Sequence, residues 1–205
     1  MAKRPRPVRD RIIDAALDLA GDRPWRNVGL GDIAAAAKQP LGKLHEQFPS
    51  KTAIVMAVME RTNAAMLADA DPSVDEPPHD RLLDVMMQRL DALAPHKAAI
   101  RSILHDLPFD PVSTLSMAPG FLASMAWTLE AAGLPAAGFR GALRTKGLAA
   151  IYLGALSVWL GDDSEDQGKT LAFLDRRLKQ AERAARFLNG AGLKGRHKPT
   201  DDESA

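Results

Sequence analysis

GLGDIAAAAKQPLGKLHEQF, residues Gly29 to Phe48, is the stretch that decides the fold. It holds two short helical patterns separated by a break at Lys38-Gln39-Pro40. In the first pattern Asp32, Ile33, Ala34, Ala36 and Ala37 suit a helix capped at Gly29, with Asp32 at the third helical position. The alanines let a second helix approach closely. Pro40 is most at home in the first turn of a new helix. Leu41, Leu44 and Phe48 then recur at helical spacing and face inward. Gly42, Lys43, Glu46 and Gln47 are left facing outward, with His45 at the edge. A second helix laid in a major groove would therefore offer mainly Lys43, Gln47 and His45.

Charge is distributed to match. Residues 1–51 hold ten Lys/Arg against six acids, a net of +4, while the whole chain of 205 residues carries only +1. A basic head on a mildly acidic body suits a protein that meets a polyanion at one end. The opening MAKRPRPVRD is followed by a charged helix instead of an apolar run, so it does not read as a secretory signal. No cysteine is present, which removes disulfides and thiol chemistry and fits a reducing compartment. No apolar run is long enough to span a bilayer. The expected setting is the cytoplasm, without stable membrane insertion.

Working outward from the motif, the hydrophobic period stays helical. Ile12, Ile13, Ala16, Leu17 and Ala20 form one stripe; Leu83, Met86, Met87, Leu90 and Leu93 form another, with Asp84, Gln88, Arg89 and Asp91 on its polar side. Gly21 to Pro24 ends the first helix. Pro49-Ser50 separates the motif from a long helix beginning at Lys51, with Ser50 its N-cap. DPSVDEPPHD, Asp71 to Asp80, is a loop dense in Pro and Asp. Body helices are expected at about 80–94, 96–107, 112–132, 136–160 and 165–188, with a kink or break at Pro119-Gly120. The chain thus reads as all-α. It divides into a basic arm and helix-turn-helix head at 1–51 (motif 29–48), a connecting helix at 52–70, a body at 80–188, and a polar tail at 189–205 expected to be disordered.

At this point the sequence resembles the TetR family of one-component regulators. Ala37, Gly42, Leu44, Phe48 and Lys51 fall in register with that family's turn and second helix, and Ile13-Ala15-Ala16-Leu17 fits its first helix. The resemblance covers about residues 9 to 66. Lys38 stands where the family has its turn glycine, Pro40 where it has a capping serine, and His45 where it has a phosphate-touching tyrosine. The resemblance implies double-stranded DNA as partner. The expected contacts are Arg4, Arg6 and Arg9 in the arm; Lys38, Gln39 and Leu41 at the turn; and Lys43, His45, Gln47 and Lys51 beyond it.

A second resemblance lies in the body. The run from Pro108 to Met117, the stretch Leu148-Ala149-Ala150-Ile151-Tyr152, the acidic loop Asp162 to Asp166 and the run Thr170 to Leu178 are similar to the lipid-binding accessory proteins of coenzyme Q biosynthesis. That family's last, membrane-seeking helix is not matched by the polar tail.

Leu171, Leu174, Leu178, Ala181 and Ala185 form a heptad-like seam that suits either a partner helix or packing within the monomer. The TetR resemblance favours the partner, hence a homodimer with two heads about one DNA turn apart. Met86, Met87, Leu90, Leu104, Phe121, Met125 and Trp127 are expected to line a pocket for an apolar or lipid-like ligand. The five histidines lack metal-ligand spacing, and no GxSxG or phosphate-cradling loop occurs. No enzyme, cofactor or metal is expected. The leading reading is a ligand-responsive, dimeric transcriptional regulator. The alternatives are an isoprenoid-binding accessory protein without DNA binding, and a dimeric scaffold.

Overall fold

Stripe, cap and breaker produce the first helix. The structure, a computed structural model, describes residues 6–69 and 75–194, with side chains described apart from those of 69 and 187–194. Helix α1 (Val8–Asp22) buries Ile12, Ile13, Ala16, Leu17 and Ala20. It stops where Arg23 turns extended ahead of Pro24, and a single 3-10 turn over Trp25–Asn27 follows. Then come α2 (Leu30–Ala36), α3 (Leu41–Gln47) and α4 (Lys51–Asp69). The Ser50 hydroxyl accepts the Ala53 amide at 3.1 Å, so the expected N-cap of α4 is in place.

The body is built from α5 (Pro78–Leu93), α6 (Lys97–Asp106), α7 (Pro111–Ala131), α8 (Gly138–Leu160) and α9 (Gly168–Lys194). Pro78 starts α5 at a position where a missing N–H costs nothing. Asp110 caps α7 by accepting the Ser113 amide at 3.1 Å. Gly133, at φ 70°, closes α7: its amide reaches the Glu130 carbonyl and that of Leu134 the Leu129 carbonyl, a left-handed Schellman stop.

Helices α7 and α9 differ from expectation. Helix α7 runs unbroken through Pro119-Gly120. It packs along α4, and the bare Cα of Gly120 lies where a Cβ would fall 2.1 Å from Met56 Cε. Packing of that closeness compensates for the hydrogen bond Pro119 cannot make. Helix α9 starts at Gly168 because the acidic loop before it is used as a cap: Asp162 accepts the Thr170 amide and hydroxyl at 2.9 and 2.8 Å and the Ser164 hydroxyl at 2.5 Å. These bonds, the Ser164 hydroxyl foremost, hold the Asp162 carboxyl far below the usual carboxylate range. The same helix continues to Lys194, inside the segment expected to be disordered; 195–205 lie outside the described residues.

Among the described residues there is no strand. One continuous apolar core runs from Ile12 in the head to Leu178 in α9. Each fully buried Ile or Leu in it contributes about 1.5–3 kcal/mol relative to exposure. The most extensive helix–helix contact outside the body is α1 on α6, which seats the head on the body.

Candidate nucleic-acid interface and its supporting body

The turn between α2 and α3 is determined at both ends. Asp32 reaches back to the Gly29 amide at 2.9 Å, and Arg23 pairs with it at 2.7 Å. The Gly29 bond first, then the Arg23 charge, lowers the Asp32 pKa. At the other end the Lys38 amide bonds the Ala35 carbonyl and the Gln39 amide the Ala34 carbonyl, the same Schellman pattern that closes α7. Here the left-handed residue is Lys38, at φ 54°, instead of glycine. Such a conformation costs a residue with a Cβ roughly 1–2 kcal/mol. Pro40 sits at the N-cap of α3, with φ −60° and ψ 147°, and not in its first turn. Its carbonyl accepts the Lys43 and Leu44 amides, a role open to a residue without an N–H.

Leu44 and Phe48 are buried as expected. Leu41 is not turned inward: at 56% exposure it joins the outer face of α3. That face carries Leu41, Gly42, Lys43, His45 and Glu46, with Gln47 half-buried at its border. A Cβ at Gly42 would meet nothing within 4 Å, so the backbone is accessible there. Lys43 pairs with Glu46 at 2.7 Å, an exposed contact of little energetic weight. The exposed Lys38 ammonium has no partner among the described residues, while half-buried Gln39 donates to the Lys38 carbonyl at 2.6 Å.

The remaining cations divide. Arg4 lies outside the described residues. Arg6 pairs with Asp14 at 2.8 Å, and Arg9 with Glu60 at 2.8 Å while stacking 4.7 Å from the centre of the Phe48 ring. Both pairs are exposed enough to be exchanged for phosphate oxygens. Lys51 differs from the expected contact. Its ammonium donates to the Trp25 carbonyl at 2.6 Å and lies 4.3 Å from that ring's centre. Burial lowers its pKa, Asp106 and Asp110 opposing, as suits a brace for the Trp25 loop.

That loop is also where the head is fastened to the body, by contacts that sequence reading missed. The Trp25 amide donates to Ser102 Oγ at 2.9 Å. Asp106, at the end of α6, accepts the Arg26 amide at 2.6 Å and its guanidinium at 2.9 Å. The Arg26 amide is the largest influence holding the Asp106 pKa down, assisted by His105 and the Arg26 charge. The partners lie 80 residues apart, so no local pattern announces them.

Within the body, Met86, Leu90 and Met125 are fully buried, and Met87, Leu104 and Phe121 half-buried. Leu104 stands on α6, the helix packed against α1. Trp127 does not line the interior: at 56% exposure it belongs to the outer surface of α7. Arg89 departs in the opposite direction. Expected on a polar face, it is 1% exposed and extends among α4, α7 and α8.

The seam on α9 also needs correction. Leu174 and Leu178 are absorbed by the monomer's own core, so they are unavailable to a partner; Leu171, Ala181 and Ala185 remain exposed. An outward apolar stripe is found on α8 instead. Phe139, Leu143 and Leu153 are 85%, 53% and 50% exposed, and Ala150 is exposed between them. Their 4-7-3 spacing keeps them on one face, and the spacing is legible in the sequence.

A helix-turn-helix head seated on a larger, wholly helical body defines the class of one-component transcriptional regulators. The comparisons make this specific. A profile of the bacterial regulatory proteins, tetR family, matches residues 12–58, and a COQ9 profile matches residues 144–185. The chain is similar to the TetR transcriptional regulator from Nitrosomonas europaea, with 30% identity over 86% of this chain and 99% of that one and a TM-score of 0.69. It shares its fold with a TetR regulator from a Rhodococcus species, with 19% identity, 84% and 94% coverage and a TM-score of 0.63. A tetR-family regulator from Streptomyces coelicolor gives 20% identity, 95% and 90% coverage and a TM-score of 0.60. No curated protein matches the chain. The chain belongs to the TetR family of transcriptional regulators. Among the described residues no helix is long and apolar enough to cross a membrane, and no cluster of His, Asp or Glu is arranged to hold a metal.

Proposed function

We propose that the chain is a homodimeric regulator that binds operator DNA through α3 and answers to a small molecule held in its body. The observation that carries this reading is the outer face of α3, where Lys43, His45 and Leu41 stand clear of the core beside Lys38, whose ammonium has no partner among the described residues. Arg6 and Arg9 extend the cationic rim by exchanging carboxylate for phosphate. Homodimerisation is supported by the exposed stripe on α8, which one copy of this chain can cover with the same stripe of another. The body at 80–188 holds the ligand, residues 1–51 read DNA, and α4 connects the two.

A mobility-shift titration against the gene's own upstream region, over a range of stated salt concentrations, tests the reading. Specific complexes should form, and Lys43→Ala should weaken binding and reduce the salt slope by about 1. Absence of any specific complex for ligand-free protein at low salt refutes it. The COQ9 match over 144–185 favours one second reading, an isoprenoid-binding accessory protein. Native mass spectrometry of protein purified from cells separates the two: a co-purifying isoprenoid without DNA affinity supports the second.

A further inference from the structure

Arg89 is the only described Lys or Arg whose charge is buried, and its hydrogen bonding is incomplete. Nη1 donates to Asn63 Oδ1 at 2.5 Å and lies 3.7 Å from Met66 Sδ. Nη2 donates to Ser124 Oγ at 3.0 Å, and the guanidinium carbon sits 5.0 Å from the centre of the Tyr152 ring. Nε is buried without any acceptor. Among the described residues no carboxylate pairs with Arg89.

An arginine cannot shed its proton to escape burial, so the positive charge stays. Asn63 and Ser124 are neutral acceptors and supply no counter-charge. Tyr152, whose phenol lies close enough to feel the guanidinium, supplies none either: burial pushes the phenol above its ordinary value, outweighing the opposing pull of Arg89, and keeps it protonated and neutral. Nε and Nη2 form the side-on fork of a guanidinium, the geometry that takes a carboxylate through two parallel hydrogen bonds. One arm of the fork is empty, and the other uses one of its two hydrogens on Ser124. An uncompensated buried cation is costly, and an anion placed on that fork removes the cost.

We propose that the body's ligand is an amphiphilic monoanion, a carboxylate on an apolar frame, anchored by Arg89. This rests on the reading that the body senses a small molecule, and narrows its chemical class. Met66 beside the guanidinium, Met86 one turn earlier on α5, and Met125 next to Ser124 are unbranched thioethers that can repack around an incoming frame. Phe121 and Tyr152, 6.1 Å apart between ring centres, add an aromatic wall. A neutral lipid could place an oxygen on the fork but would leave the charge uncompensated.

Calorimetric titration of the full chain with straight-chain carboxylates from butanoate to dodecanoate and with benzoate, each beside its neutral amide, tests this. At least one carboxylate should bind about 10- to 100-fold tighter than its amide. Arg89→Met should abolish that preference and leave the apo protein as heat-stable as wild type or more so. Arg89→Lys, which keeps the charge and loses the fork, should bind the carboxylate at least about tenfold more weakly, and decides the matter if Arg89→Met does not fold. Equal binding of acid and amide, or an undiminished carboxylate preference in either variant, overturns the anchor while leaving a ligand-sensing body intact. No binding by any probe overturns it too. An Arg89-dependent carboxylate complex that leaves DNA affinity unchanged upholds the anchor and refutes ligand-responsive regulation.

Discussion

Replacing Asp106 measures how firmly the head is held. In the wild type its carboxylate, 5% exposed, accepts the Arg26 amide at 2.6 Å and the Arg26 guanidinium at 2.9 Å. In Asp106→Ala the amide loses a charge-assisted bond and is left without a partner, which costs about 2–3 kcal/mol. The guanidinium is half-exposed and returns to water, adding under about 1 kcal/mol. Against this, an acid at the C-terminal end of α6 opposes the helix dipole, so its removal gives back about 0.3–1 kcal/mol. The net loss is about 2–3 kcal/mol, or roughly 4–12 °C in melting temperature for a chain of this size. Asp106→Asn keeps an acceptor for the amide and should lose only about 1 kcal/mol. Acidity supplies an independent check. The folded pKa of Asp106 is depressed, so its contribution is complete above the unfolded value near 3.8 and fades as pH falls through the folded pKa. Urea unfolding of wild type and Asp106→Asn should therefore differ at neutral pH and converge on acidification. Equal melting of wild type and Asp106→Ala, or a gap between wild type and Asp106→Asn that does not narrow as pH falls below 3.8, would refute the reasoning.

The other expectations concern backbone and surface. Lys38→Gly relieves the left-handed strain at φ 54° and should raise stability by about 0.5–1 kcal/mol in urea, after the entropy glycine adds to the unfolded chain; a loss would mean the lysine side chain holds the turn. Gly141→Ala would set a Cβ 2.1 Å from the Ala136 carbonyl group, so it should cost about 1–3 kcal/mol, whereas Gly42→Ala, with open space, should cost nothing. Leu153→Asp on the outward face of α8 should convert a dimer to monomers in sedimentation velocity without unfolding the chain; an unchanged sedimentation coefficient would place the interface elsewhere.

The helices of the head were legible, because their determinants are local, whereas the outward turn of Leu41 and the inward role of Lys51 were not. The stripe of α1, the Ser50 cap and the Asp32–Gly29 bond each lie within a few residues. The body was legible as a set of helices and not as a packing arrangement. A 3-4 repeat on α9 reads identically whether Leu174 and Leu178 meet another chain or their own core, and they meet their own core. On α8 two apolar faces coexist: Leu148, Tyr152, Ala155 and Trp159 turn inward while Phe139, Leu143 and Leu153 turn outward. Such a helix has no single polar side for periodicity to find. Arg89 was misplaced because a charge on an amphipathic helix is assigned to solvent by default. Its acceptors, Asn63 and Ser124, come from α4 and α7 and are brought together only by the fold.

Arg89 and Asp106 stand on consecutive helices, and this gives the proposed ligand response a route. Helix α5 continues through the 3-10 turn Ala94–His96 directly into α6. Helix α6 is tied to the body at its start, where Lys97 donates to the Asp162 carbonyl at 2.6 Å and lies 5.4 Å from the centre of the Trp159 ring. At its end it is tied to the head through Ser102 and Asp106. If an anion on Arg89 drew α5 toward it, the shift would act on α6, and α6 on the Trp25 loop that leads into α2. Coupling of this kind is reciprocal: the factor by which the anion weakens DNA binding equals the factor by which DNA weakens anion binding. Asp106→Ala separates the two events. It should leave the Arg89-dependent carboxylate affinity of DNA-free protein unchanged while bringing that shared factor toward unity, measured once by titrating DNA with and without the carboxylate and once the other way round. If the factor survives the substitution intact, the signal does not pass through the clamp at Arg26, and α4, the direct covalent link from head to body, becomes the element that carries it.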